Sequence, residues 1–137
     1  GVLAGSTDFI EQAWTWKHRF GGAMRQAGIF AAAGLYALDH HVDRLAEDHF
    51  NARLFAERIA EIPSVVLDPI KIETNLVFFE VKETGLSAKD ISDQLLKKGI
   101  RIGIESAFRM RVVTHLDVDR KDVEEAAEAV ANIIAQY

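Results

Sequence analysis

The sequence predicts an α/β chain of the α+β kind, with helices followed by a small, mainly antiparallel sheet that carries helices on one face. Three observations support this. Apolar residues recur at helical spacing up to Pro63, the period then shortens to the alternation of strands, and from Val65 onward the runs read β-β-α-β-β-α.

Ser6-Thr7-Asp8 offers helix caps, and Asp8 with Glu11 has capping-box spacing, so a helix is expected over Thr7 to Phe20. Gly21-Gly22 interrupts it. A second helix is expected from Met24 to about His40, which places the charged, glycine-rich stretch Lys17 to Gln26 on a connecting loop. Val42, Leu45, His49, Ala52, Phe55, Ala56 and Ile59 then form the apolar stripe of a third helix that ends before Pro63. Val65 to Leu67 and Leu76 to Val81 are short β-rich runs, bounded by Asp68-Pro69 and by Thr84-Gly85. Ser87 and Asp90 make a second capping box, opening a helix that turns Ile91, Leu95 and Leu96 inward and stops at Gly99. Ile100 to Ile104 and Arg109 to Thr114 alternate as a hairpin-like pair. Asp119 caps a last helix with the apolar face Val123, Ala126, Ala127, Val130, Ile133 and Ile134, and its acidic first turn suits the positive end of the helix dipole.

Composition narrows the function classes. The 137 residues hold 16 Lys and Arg against 21 Asp and Glu, a net charge of −5, so the basic footprint of a nucleic-acid binder is missing. The absence of cysteine excludes disulfides, thiolate metal sites and cysteine nucleophiles, and leaves the cytoplasm as the default compartment. The longest apolar run, Ile29 to Leu38, is about half of the roughly 20 residues a bilayer-spanning helix needs, and no membrane segment is expected. Gly1 to Gly5 lacks an initiator Met and a basic n-region, and reads as the tail of a strand entered midway. The run Ile29 to Leu38 is apolar nearly all round, and such a helix asks for cover from an upstream region or another subunit.

Few residues suggest chemistry. Arg109 and Arg111 share one strand face with Val113, where a guanidinium could clamp a carboxylate or phosphate; the alternative is an edge strand with solvated or salt-bridged arginines. Trp16 to Gln26 combines cations, glycines and the start of a helix, which suits an anion such as a phosphate, or else is a plain connection between helices. His40, His41 and His49 lie near Asp39, Asp43, Glu47 and Asp48 without a metal-binding spacing, so no metal site is expected. His115, beside Thr114 and Asp117, is either a proton carrier or a residue that closes the strand. No serine sits in a nucleophile elbow.

Three segments together resemble a known family. Trp16-Lys17-His18 through Gly21-Gly22-Ala23-Met24-Arg25-Gln26-Ala27-Gly28 with Ala31 to Leu38, then Thr74-Asn75-Leu76-Val77-Phe78-Phe79, then Arg111-Val112-Val113-Thr114-His115-Leu116-Asp117-Val118, are similar in order and spacing to segments of the low-specificity threonine aldolases. His18 stands where that family often has lysine, and Ala23 where it has glycine.

The resemblance implies the C-terminal small domain of a fold-type-I enzyme dependent on pyridoxal 5′-phosphate, which splits L-threonine or L-allo-threonine into glycine and acetaldehyde. It implies that residues 1–40 end a large cofactor domain and its linking helices, and that residues 41–137 are the small α/β domain. Arg111 would bind the substrate α-carboxylate, and Arg25 and His18 would lie near the cofactor phosphate or at a subunit interface. The family's Schiff-base lysine precedes the segment that Gly1 to Gly5 resembles, so this chain would hold no catalytic residue and be inactive alone. Its implied partners are an amino-acid substrate, an upstream large domain and further copies in a cytoplasmic dimer of dimers. A β-eliminating lyase or phenylserine aldolase is an alternative of the same class; a non-catalytic dimerisation or regulatory module is one of another class.

Overall fold

The computed structural model describes residues 2–137. Their elements run α1 (Thr7–Arg19), α2 (Gly28–His40), α3 (Leu45–Ala60), β1 (Val66–Leu67), β2 (Leu76–Glu80), α4 (Ala88–Leu96), β3 (Gly103–Ile104), β4 (Arg109–Val113) and α5 (Arg120–Ile134), with a 3-10 turn at Lys82–Thr84. They fall into two compact units, Gly1–Asp43 and Arg44–Tyr137. No helix among the described residues is long and apolar enough to cross a membrane.

The second unit holds the core. Its four strands pair antiparallel in the order β1-β2-β4-β3, with Val77 opposite Val112, Phe79 opposite Met110 and Gly103 opposite Arg111. Alternation sends Val77, Phe79 and Met110 to one side, where they are buried with Phe55 and Ile59 of α3, Ile91 and Leu95 of α4, and Val130 and Ile133 of α5. The Phe55 and Phe79 rings meet at 6.0 Å between centroids. The other sheet face carries Phe78, Glu80, Arg109, Arg111 and Val113 at the same alternation and has no helix on it in this unit.

Helix boundaries follow local chemistry. The expected box at α4 closes, with Ser87 and Asp90 exchanging hydrogen bonds, and the expected cap Asp119 turns out to form a box as well, with Asp122 at the start of α5. At α1 Ser6, one of the offered caps, accepts from Phe9 N–H at 3.4 Å, and the expected box of Asp8 with Glu11 is corrected because Asp8 is already inside the helix. Asp8 lies in the first turn. α2 begins at Gly28 rather than Met24, since Gln26 has φ 54°, a left-handed conformation that no α-helix continues through. β3 is also shorter than expected: the Ile100 N–H is taken by Leu95 O at the end of α4, so only Gly103–Ile104 reaches the ladder. In the first unit, neither α1 nor α2 contains a buried residue. Gly1 lies outside the described residues, and residues 2–5 form no strand, since no strand among the described residues pairs with them to complete a ladder.

Candidate functional site

The open sheet face is where the candidate site lies, and its two arginines differ in how much of each fork is free. Arg109 is committed. Its Nη1 donates to Asp68 Oδ2 at 2.6 Å and to Glu80 Oε1 at 3.4 Å, its Nη2 donates to the Asp68 carbonyl at 2.8 Å, and its guanidinium lies 5.2 Å from the Phe78 ring centroid. The hydrogen bond to Asp68, aided by its charge and that of Glu80, raises the pKa of Arg109 above its ordinary value. This is the salt-bridged arrangement that the sequence left open, realised at residue 109.

Arg111 is held at one corner. Its Nη1 stands 2.9 Å from Glu105 Oε1, and none of its guanidinium nitrogens donates a hydrogen bond among the described residues. The side chain is 44% exposed, so the remaining N–H groups are within reach of an incoming anion. A planar fork with free donors is the group best shaped to take a carboxylate through two parallel hydrogen bonds.

What fixes the strand under Arg111 is a polar clasp at its end. The buried Thr114 hydroxyl donates to the Asp48 carbonyl at 2.6 Å, Thr114 N–H donates to the Asn75 carbonyl at 3.0 Å, and Asn75 Nδ2 donates back to the Thr114 carbonyl at 2.8 Å. Asp48 is in turn gripped by both terminal nitrogens of Arg44, at 3.2 and 2.9 Å. The clasp ties β2, β4 and α3 together immediately beyond Val113. Asn51, also buried, donates from Nδ2 to the Val118 carbonyl at 3.4 Å, while its Oδ1 has no hydrogen-bond partner among the described residues.

The other singled-out residues are placed differently. His18 is not on a loop: it lies in the last turn of α1, with Nδ1 2.8 Å from the Trp14 carbonyl and its ring 5.3 Å from that of Trp14. Arg25 is exposed on the turn before α2, whose N-cap, Ala27, offers no side-chain hydrogen bond. Both belong to the first unit and Arg111 to the second. His115 is exposed and accepts from Asp117 N–H at 3.3 Å, closing the turn after β4. His40 is held by the Tyr36 carbonyl at 2.9 Å and stacks on the Tyr36 ring. A groove of about 310 Å³ between β4 and α5, with Phe55, Ile102 and Val123 among its lining residues, does not include Arg111.

Sequence reasoning missed Glu105, Gly103 and Asn75 as parts of this arrangement. The hairpin register would have found the first two, because counting outward from the turn sets Gly103 opposite Arg111 and Glu105 one diagonal away, within reach of a long side chain.

The beta-eliminating lyase family model matches residues 1–83. The low-specificity L-threonine aldolase of Escherichia coli (strain K12) is 39% identical over 92% of this chain, and low-specificity L-threonine aldolase 1 of Arabidopsis thaliana is 33% identical over 89%. The matched region is 36% and 34% of those proteins, so the chain spans about a third of the length of the curated relatives it matches. A Listeria monocytogenes crystal structure, described as a candidate L-allo-threonine aldolase, superposes with a TM-score of 0.65 at 22% identity, covering 95% of this chain and 39% of that one. These matches establish the fold as that of the fold-type-I enzymes.

Proposed function

Because the chain belongs to the beta-eliminating lyase family, we propose that it is part of a pyridoxal 5′-phosphate-dependent aldolase that cleaves L-threonine or L-allo-threonine to glycine and acetaldehyde. The open fork of Arg111, at the head of the Arg111 to Val118 segment, is the observation that carries this reading. Held by that fork, the substrate carboxylate fixes the rotation about Cα and so decides which bond at Cα is broken. The clasp at Thr114 serves the same end by holding β4 in place.

The residues described fit the anionic ends of such a site and not its covalent anchor. Arg111 suits the substrate carboxylate. Arg25, beside the uncapped start of α2, suits the cofactor phosphate, with His18 one element away on α1. Lys17, Lys71, Lys82, Lys89, Lys97, Lys98 and Lys121 are all exposed, and Lys71 and Lys89 are paired with Glu73 and Asp93. When bound, the cofactor supplies the electron sink for carbon–carbon cleavage; no step of it is assigned to these lysines.

In this reading residues 1–40 end the large cofactor domain and residues 41–137 are the small domain of a cytoplasmic dimer of dimers. Ile29, Phe30, Leu35, Tyr36 and Leu38 of α2 are each more than half exposed, which supports an assembly that covers them.

In the full reading frame that carries this chain, Arg111→Ala is expected to raise KM for L-threonine by about 10- to 100-fold, as loss of a charge-assisted pair would. An unchanged KM removes Arg111 from the site. Product analysis accompanies it: glycine with acetaldehyde supports the aldolase, whereas 2-keto acid with ammonia identifies a β-eliminating enzyme.

A further inference from the structure

Arg109 and Arg111 stand on one strand face and lean in opposite directions, Arg109 toward Asp68 and Glu80, Arg111 toward Glu105 near the base of the β3–β4 hairpin. Directly across from Arg111 the neighbouring strand has Gly103. A Cβ placed there would lie 3.9 Å from Arg111 Nε and 3.3 Å from the Arg111 carbonyl, so the arginine lies over a position kept free of any side chain. Glu105, beyond it, has its own backbone fixed, since its N–H donates to the Arg109 carbonyl at 2.9 Å. Its carboxylate therefore meets the guanidinium from a defined place.

The contact is of a particular kind. Where a carboxylate closes a fork in this chain, as Asp48 does on Arg44, both terminal nitrogens are taken. Glu105 meets Arg111 as an ion pair whose approach runs through Nη1, and no guanidinium nitrogen of Arg111 donates a hydrogen bond among the described residues. A competitor for the site would close the fork; a group that orients it touches one corner and leaves the rest.

We propose that Glu105 is a positioning residue for the substrate carboxylate, holding Arg111 across Gly103 with part of its fork open. This rests on the reading of Arg111 as the carboxylate-binding residue. Glu105 reduces the rotamer freedom that Arg111 must lose when substrate binds, so its effect belongs in KM and not in kcat.

The test is steady-state kinetics of the full-length enzyme loaded with pyridoxal 5′-phosphate, with L-threonine as substrate, on Glu105→Ala, Glu105→Gln, Gly103→Ala and, as a separate arm, Arg111→Gln. Glu105→Ala is expected to raise KM about 2- to 5-fold, the scale of a half-exposed ion pair, with kcat within about twofold of the parent. Glu105→Gln keeps an acceptor oxygen and recovers part of that loss; Gly103→Ala sets a Cβ 3.3 Å from the Arg111 carbonyl, shifts the backbone that carries the guanidinium and raises KM as well. A KM equal to or below the parent's in both Glu105 variants overturns the proposal, and if Glu105→Ala does not fold the Gln variant decides alone. If Arg111→Gln also leaves KM unchanged, the carboxylate reading has failed. If Arg111→Gln raises KM while the Glu105 variants do not, only the positioning role has.

Discussion

Two arginines that alternation makes equivalent are separated by their neighbours. Arg109 is spent on Asp68, Glu80 and the Phe78 ring, whereas Arg111 keeps most of its donors. That both share a face is legible in the sequence, because the period of a strand is two. Which one is free is not, because Asp68 lies 41 residues from Arg109 and becomes its neighbour only through the sheet. The clasp is equally non-local: Asn75 and Thr114 lie 39 residues apart and meet only through the pairing of β2 with β4. The Thr114 hydroxyl gives a clear expectation. Thr114→Val keeps the shape but leaves the buried Asp48 carbonyl without that donor, which should destabilise the chain by about 1 to 3 kcal/mol in urea unfolding. A loss near zero would mean the hydroxyl bond is dispensable.

At the scale of elements, the sequence announces capped helix starts more reliably than uncapped ones. The boxes at Ser87 and Asp119 need only local spacing, and both form. The start of α2 and the length of β3 depend on backbone events, the left-handed Gln26 and the bond from Ile100 N–H to Leu95 O, that side-chain patterning does not encode. The α4 box can be probed by pH. Ser87, through its hydroxyl and its backbone N–H, holds the Asp90 carboxyl below the usual carboxylate range. With a folded pKa below the unfolded one, the ionised carboxylate stabilises the fold above the unfolded value and ceases to as pH falls through the folded one. The stability gap between the parent chain and Asp90→Ala should be full at neutral pH and shrink in strong acid; a gap independent of pH would assign it to packing. Ser87→Ala should cost about 0.5 to 2 kcal/mol at neutral pH in thermal unfolding.

Across the whole molecule, burial is confined to the unit Arg44–Tyr137, where three helices and the sheet bury Phe55, Phe79 and Met110. α1 and α2 bury nothing among the described residues, and short helices without packed faces are marginal in water. In the isolated chain, amide hydrogen exchange should therefore be slow in α3, α5, β2 and β4 and faster by orders of magnitude in α2. Protection of α2 equal to that of α5 would contradict this distribution. The contrast was partly legible: an apolar run of Ile29 to Leu38 on a chain with few elements to cover it signals an incomplete core, although composition does not name what completes it.

The claim on which the functional account depends is that Arg111 receives the carboxylate of an amino acid. A crystal structure of the full-length enzyme with pyridoxal 5′-phosphate and glycine tests it directly. The account predicts the glycine carboxylate against Arg111, with at least one of its oxygens about 2.7 to 2.9 Å from a guanidinium nitrogen and Glu105 still on Nη1. A carboxylate bound by other residues, with Arg111 facing solvent, would contradict it.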